Sequence, residues 1–518
     1  MAQDTRQIAR EGRVVVLVSC AMCLASSFLL FLSFPPAGLW PLAWVALVPL
    51  FFVLEGEASV RRAFLFSFLT GFLFFLLSLQ WIHYVTVPGW ILLSAYLGVY
   101  FGCFGLLHSW AHRMGGVLRL VILACGWVVL EGVRGTFLTG FNWGSLGHSQ
   151  APVPFFIGIA SWAGVAGVSF VLVLFNLVLV SVLPGKNGIS LKKVGGLFLA
   201  LVLVWGGAGS GLSLSNLKSP RLRVAMVQAN IPLSMSWSPS LAPMIVRRHL
   251  SFSREALLEQ PDLIIWPESS FPNFLWDFPE LFDQVKAFAR ESKVPLLIGA
   301  VTKEGGRYFN SALLISPDGN VADTYDKRHL VLFGEYIPLR ETFPFLSRIV
   351  PIDDFTPGTS STVLTLPDGT RVGVLICFED TVPGLARRAV RDGAQVLINI
   401  TNDAWFRDSG QPRMHLYNAL FRAVENGRPL VRVTNTGESC AISDRGRLLG
   451  CIEDGAGRRV GVSGVRVVDV VLPREQETIY TKCGELFAIL CFLIILGTVI
   501  SIYVKRGAAP WRKRSEGS

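Results

Sequence analysis

Charge is what this chain has least of. Only 16% of its 518 residues are Asp, Glu, Lys or Arg, against about a quarter in an ordinary soluble domain. With 51% hydrophobic residues and a mean hydropathy of +0.49, that shortage excludes a wholly water-soluble chain. The net charge of +10 rests on 47 basic residues, yet they form no compact cluster interleaved with aromatics, which argues against nucleic acid as a partner. In a membrane protein such residues report orientation instead. The seven histidines are scattered and form no ligand-spaced pair with Cys or Glu. The nine cysteines are odd in number, and no C-x-x-C pair lies in a polar segment. Neither a metal site nor a disulfide framework is expected. Cys20 and Cys23 have that spacing, but inside an apolar run they read as packing residues. Internal repeats and low-complexity linkers are also missing, while the length leaves room for more than one domain.

Long apolar runs are present in abundance. Stretches of roughly the 20 residues that cross a bilayer occur near 14–33, 39–54, 63–82, 90–110, 116–134, 156–183, 194–212 and 486–504. Pro41 and Pro49 interrupt the second. The first is followed by no small-residue cleavage site and by further runs, so it reads as a span rather than a leader. Basic residues alternate with these runs: Arg6, Arg10 and Arg13; Arg61 and Arg62; His112, Arg113 and Arg119; Lys186, Lys192 and Lys193; then Lys505, Arg506, Arg512, Lys513 and Arg514. With eight crossings all fall on one side, which the positive-inside rule makes cytoplasmic. The expected organisation is a membrane domain over 1–214 with about seven helices, an outer domain over 215–485, and a final span with a basic tail over 486–518. In a bacterium the outer side is the periplasm or the cell exterior.

The outer region follows a different pattern. "RLRVAMVQANI" (221–231), "DLIIWPES" (262–269), "VPLLIGAV" (294–301), "NSALLISPDG" (310–319), "RVGVLICFED" (371–380), "QVLINITND" (395–403) and "PLVRVTNTG" (429–437) are apolar or β-branched runs closed by turn residues. Helical patterns over 242–259, 279–292, 383–393 and 411–426 separate several of them. Strands alternating with helices predict an α/β domain. "SPDGN" and "LPDGT" predict hairpins, hence a mixed sheet.

Three of these strands end on reactive groups: Glu268, Cys377, and the pair Asn402 and Asp403. Ligands collect beyond the carboxyl ends of strands in α/β sheets. Pro383 predicts a helix start just after Cys377, whose positive end would favour a thiolate. "YDKRHLVLFGEYIP" (325–338) adds Lys327 and Glu335 in a stretch that is neither strand nor helix. Acyl transfer needs a nucleophile, a base and a cation or donor for the oxyanion, and Cys377, Glu268 and Lys327 are the types required. Read singly, each has an ordinary structural role: a buried core thiol, a turn glutamate and a solvated lysine. It is the combination that points to chemistry.

Glu, Lys and Cys in this order, within "WPES", "YDKRHLVLFGEYIP" and "LICFED", resemble the nitrilase superfamily of carbon–nitrogen hydrolases. With the multi-span amino-terminal part and one terminal span, the chain over nearly its full length resembles the apolipoprotein N-acyltransferases. "EGVRGTFLTGFNWGSLGHSQ" (131–150) and "VQANIPLSMSW" (227–237) resemble further segments of that family. The resemblance implies an α/β/β/α sandwich for 215–485, with Glu268 as general base, Lys327 as oxyanion stabiliser and Cys377 as nucleophile. It implies Glu335 as a second essential acid, and Trp237 and Glu379 as residues tied to activity or substrate handling. Phe378 stands where a tyrosine often follows the nucleophile, and its missing hydroxyl removes any hydrogen bond assigned there. Leu332 and Asn142 each stand in place of a proline.

The same resemblance implies a ping-pong reaction at the inner membrane of a bacterium, with no cofactor and no metal. Cys377 would take an acyl chain from a phospholipid of the phosphatidylethanolamine kind, and the α-amine of a diacylglyceryl-cysteine apolipoprotein would receive it. Aromatic loops at 271–282 and 336–351 are candidate lipid-facing surfaces, or covers of the sandwich core. Glu131 and Arg134, three apart near the outer end of the fifth run, are expected to pair. Two other readings stand beside this one: a membrane-anchored amidase using water as acceptor, and a transporter or sensor whose outer domain only binds.

Overall fold

The computed structural model describes residues 2–182, 219–337, 354–359, 363–473 and 477–512, with Gly196 and Arg340 besides. Six described helices are long and apolar enough to cross a membrane: Arg13–Ser33, Val60–Ser78, Val87–Ala111, Gly116–Arg134, Ala160–Ser181 and Leu486–Val504. They belong to α1 (Ala2–Ser33), α3 (Val60–Ser78), α4 (Val87–Ala111), α5 (Gly116–Arg134), α6 (Ala160–Ser181) and α11 (Leu486–Arg512). The second expected run is instead a 3₁₀ turn, Trp40–Trp44, and a short α2, Val48–Gly56, with Pro41 and Pro49 in their first turns. Proline lacks the N–H that continues a helix, so it starts elements rather than extends them. The seventh run, apart from Gly196, lies outside the described residues.

The outer domain holds two six-stranded mixed sheets. β1 (Arg221–Gln228), β2 (Leu263–Ile265), β3 (Leu296–Glu304), β4 (Arg307–Ile315) and β5 (Val321–Asp326) form the first together with β12 (Gly464–Val471), in the order β12-β1-β2-β3-β4-β5. β6 (Val363–Thr365), β7 (Arg371–Ile376), β8 (Val396–Thr401), β9 (Leu430–Thr434), β10 (Cys440–Ile442) and β11 (Leu448–Cys451) form the second, in the order β11-β10-β9-β8-β7-β6. β1, β2 and β3 run parallel, as do β7, β8 and β9, and the outer strands are antiparallel. Both Pro-Asp-Gly turns are hairpins, joining β4 to β5 and β6 to β7. The expected strands are all present. The predicted hairpins imply β5 and β6, whereas β10, β11 and β12 are not read from the sequence, because the first two have only three or four residues and β12 is mostly half-exposed.

Packing fixes the layers. Val224, Met226, Ile265 and Leu314 of one sheet meet Val374, Ile376, Ile398 and Val431 of the other in a buried apolar core. α7 (Ala242–Ala256) and α8 (Pro279–Ser292) cover the first sheet through Val246, Leu250, Val285 and Phe288. α9 (Pro383–Arg391) and α10 (Gln411–Asn426) cover the second. This last layer is shared: the apolar cluster that holds Leu375, Leu397 and Phe421 continues into Phe34, Phe75 and Leu172 of the membrane helices. α10 is therefore buried along nearly its whole length. α6 is broken at Gly164, whose φ of +64° only glycine adopts easily. The freed Val165 N–H donates to Glu425 of α10 at 3.1 Å, and Arg422 Nη2 pairs with the same carboxylate at 2.8 Å. The outer domain is thus docked on the membrane domain by main-chain and ionic contacts as well as by apolar ones.

The expectation of no disulfide fails at one place. Cys440 and Cys451 sit directly opposite on the antiparallel β10–β11 pair and are bonded. An odd cysteine count without a spacing motif hides such a pair, because hairpin register alone brings the two together.

Candidate active site

The site lies at the strand ends. Trp266 and Pro267 carry the chain from β2 to Glu268, Lys327 follows β5, and Cys377 follows β7. Glu268 Oε2 accepts the Asn402 N–H at 2.8 Å, so the end of β8 in the second sheet is tied to the end of β2 in the first. Glu268 Oε1 accepts Asn310 Nδ2 at 2.8 Å and lies 3.5 Å from Lys327 Nζ. Glu335 Oε1 accepts Lys327 Nζ at 2.8 Å and Asn310 Nδ2 at 2.9 Å. Its other oxygen accepts the Val331 N–H at 2.8 Å, which holds the irregular loop closed on itself.

Electrostatics gives the groups different characters. Lys327 is 1% exposed. Burial opposes its charge, but Glu335 and Glu268 outweigh burial and hold the ammonium well above its ordinary range. For Cys377, burial pushes the thiol up, the Glu268 charge adds to that, and Lys327 opposes it. The resting sulfur is therefore a thiol that needs a base. Its backbone has φ +53°, a left-handed conformation that costs a non-glycine residue about 1 kcal/mol or more. Local hydrogen bonds over-determine it: the Cys377 carbonyl accepts Asn399 Nδ2 at 3.1 Å and His415 Nε2 at 3.3 Å.

The supporting residues separate into three kinds. Glu379 is fully buried and accepts from Tyr325 Oη at 2.9 Å, Arg328 N at 2.7 Å, His329 N at 3.0 Å and Ile376 N at 2.8 Å. It reaches no open surface. It binds the segment after Lys327 to the strand before Cys377. Phe378 stacks between Trp143 of the membrane domain at 6.5 Å and His329 at 5.9 Å. Trp237 stands apart from the carboxylates. It is 45% exposed, and its ring meets Phe274, which stacks on Trp276 at 4.7 Å and packs on Tyr308. The second aromatic loop, 336–351, lies mostly outside the described residues.

Sequence reasoning missed Asn310. Its amide bridges both carboxylates, and only the –NH₂ end can do so, since the oxygen end would face two acceptors. An asparagine at the head of the apolar run 310–315, inside β4, was the available signal. The 131–150 segment also acquires a place. Asn142 Nδ2 donates to the Thr381 carbonyl in the turn after the cysteine at 2.9 Å. Glu131 and Arg134 do not pair as expected. Arg134 Nη2 turns to Ser145 Oγ at 2.8 Å, while Glu131 accepts Trp127 Nε1 at 2.9 Å and Leu146 N at 2.8 Å. Both brace the loop that touches the cysteine turn, and the Arg134 carbonyl accepts the Phe141 N–H of that loop at 2.9 Å.

Gly299 of β3 sets the position of Glu268. A Cβ there would fall 2.4 Å from the Pro267 oxygen and 2.6 Å from Glu268 Cα. Gly299→Ala is expected to displace the carboxylate and lower kcat by about 10²-fold, the usual scale for a misplacement near 1 Å, with little change in expression. Steady-state kinetics on the purified variant checks this, and an undiminished kcat would contradict it.

Comparison with known proteins gives the chain its family. The Carbon-nitrogen hydrolase family matches residues 223–480, and the Apolipoprotein N-acyltransferase N-terminal domain matches residues 26–178. An apolipoprotein N-acyltransferase of Geobacter metallireducens is 37% identical over 491 residues, covering 91% of this chain and 92% of that protein. Those of Allorhizobium ampelinum and Brucella suis are 31% and 30% identical, over 93% and 96% of this chain and 95% and 98% of their own lengths. The chain is an acyltransferase belonging to the apolipoprotein N-acyltransferase family, a carbon–nitrogen hydrolase domain carried on membrane helices.

Proposed function

We propose that this protein moves a fatty acyl chain from a membrane phospholipid, such as phosphatidylethanolamine, to the α-amine of a diacylglyceryl-cysteine at the start of an apolipoprotein. The thiol of Cys377 attacks the ester carbon while Glu268 takes its proton. Lys327 holds the oxyanion. The carbon–oxygen bond to glycerol then breaks, the proton passes from Glu268 to the leaving oxygen, and a thioester and a lysophospholipid remain. The amine attacks the thioester, Glu268 accepts its proton, and the thiol is released with an amide formed. A thioester suits this second step because it is reactive enough for an amine to displace.

One observation carries the reading: a buried ammonium lies between Glu268 and Glu335, its charge and that of Glu268 bear on the Cys377 thiol, and the turn of that thiol is hydrogen-bonded to a membrane-domain loop. The last feature favours a lipid donor over the water-using amidase. Drawing an acyl chain of ordinary length into water costs on the order of 10 kcal/mol, at about 0.8 kcal/mol per CH₂, so a lipid-consuming site belongs against the bilayer. The Cys440–Cys451 bond supports an outer, periplasmic placement for this domain, since disulfides persist in oxidising compartments.

Incubating the purified protein with phospholipid and digesting it for mass spectrometry tests the proposal. An acyl mass on the Cys377 peptide, discharged on adding an amino-terminal diacylglyceryl-cysteine peptide, is expected. A bare Cys377 together with hydrolysis of soluble amides would sink it in favour of the amidase.

A further inference from the structure

A closed set of charges lies directly behind the cysteine turn. His415 of α10, Asp380 after Cys377, Asp403 after β8 and Arg432 of β9 are each 1% exposed or less. His415 Nδ1 donates to Asp403 Oδ1 at 3.0 Å, and Gln411 Nε2 donates to the same oxygen at 3.1 Å. His415 Nε2 aims at the Cys377 carbonyl, 3.3 Å away. Asp380 Oδ1 sits 2.9 Å from the same nitrogen and brings a carboxylate charge beside that bond. Arg432 closes the set, with Nη1 on Asp380 Oδ2 at 2.8 Å and Nη2 on Asp403 Oδ2 at 3.0 Å. Arg432 Nη1 also donates to Asn399 Oδ1 at 2.6 Å, and Asn399 is the other donor to the Cys377 carbonyl.

Each ring nitrogen of His415 has a carboxylate oxygen within 3.0 Å, Asp403 at Nδ1 and Asp380 beside the Cys377 carbonyl at Nε2, and the Gln411 amide nitrogen also approaches Nδ1, at 3.3 Å. A neutral imidazole has one N–H and leaves one of these facing a lone pair. Burial and Arg432 oppose a charge on the ring, but Asp380 and Asp403 outweigh them and hold it above its usual range. The Trp143 ring of the membrane domain lies 5.1 Å from the imidazole, within the range at which an aromatic ring attracts a cation. Two carboxylates are thereby balanced by two cations. The balance matters to the sulfur, because the groups whose charge bears on Cys377 are Glu268, Lys327 and Asp403. With His415 neutral, one carboxylate charge behind the thiol goes uncompensated.

We propose that His415 is a positioning residue of the acyl transfer, an imidazolium that holds the Cys377 carbonyl in place and cancels the Asp403 charge behind the sulfur. This rests on Cys377 as the nucleophile, so its test uses thiol acidity rather than turnover. In the intact protein, the rate at which iodoacetamide alkylates Cys377 is followed against pH by mass spectrometry of that peptide. His415→Gln keeps an amide donor but loses the charge. Its alkylation profile is expected to move to higher pH by about one unit, the scale of one nearby charge. The double variant His415→Gln with Asp403→Asn restores neutrality, and its profile is expected to return towards that of the wild type. Melting curves of both variants show whether each is folded. An unmoved profile in the single variant, or a double variant that stays shifted while folded, overturns the proposal. A wild-type protein that transfers no acyl chain while the alkylation profiles behave as expected would instead count against the proposed reaction.

Discussion

Lys327→Met is expected to lower acyl transfer by about 10³-fold or more, the effect of deleting a principal oxyanion donor from a water-excluded site. The same change leaves Glu268 and Glu335 sharing Asn310 with no cation between them. Breaking a buried ionic set by removing one partner costs about 3–5 kcal/mol, so the variant should also melt well below the wild type. These two losses can be separated. Adding Glu335→Gln removes the surplus charge and keeps an amide of nearly the same shape. The double variant should regain most of the stability and none of the transfer. Thermal unfolding in detergent alongside a transfer assay reads both quantities. If the double variant recovered activity together with stability, Lys327 would be a structural cation and the proposed chemistry would lack its oxyanion stabiliser.

Glu379→Ala should be about as destabilising as Lys327→Met, because the Glu379 carboxylate is wholly enclosed. The change strips the acceptor from two buried donors, Tyr325 Oη and the Ile376 N–H, and two partly buried ones, the N–H groups of Arg328 and His329. Each unsatisfied buried donor costs about 1–3 kcal/mol. Allowing for partial relaxation, the loss is on the order of 4 kcal/mol, which lowers Tm by roughly 10 °C for a domain of this size. Activity should fall with it, because the released backbone carries Lys327 at one end and Cys377 at the other. Glu379→Gln keeps one carbonyl oxygen and should fall between. A Glu379→Ala protein that melts like the wild type would show that these donors find other acceptors.

Much of the plan was legible because the signals are local. A run of some 20 apolar residues finds its backbone partners within itself, so the membrane helices can be read without knowing their neighbours. Strands announce themselves by apolar β-branched runs and their ends by turn residues, which is why Glu268 and Cys377 could be assigned to the rim of a sheet, whereas Lys327, in a stretch that reads as neither strand nor helix, was placed there only by β5. The helices over 279–292 and 411–426 likewise match α8 and α10. The pairing expected of Glu131 with Arg134 failed for the complementary reason. Proximity on one helix face allowed it, but a loop folding back from Asn142 to Leu146 offered each of them another partner.

By itself the sequence determined that the chain carries membrane helices and an α/β domain, and that separate strands end on Glu268 and Cys377. Periodicity and run length report burial, and burial is decided residue by residue along the chain. Only the tertiary structure decided that Asn310 bridges two carboxylates, that His415 sits between two aspartates, that Cys440 meets Cys451, and that Trp143 of one domain caps the cysteine turn of the other. Those contacts join residues distant in sequence. They depend on strand register and on how two sheets and a membrane bundle pack, and a shift of one residue would turn each side chain to the opposite face.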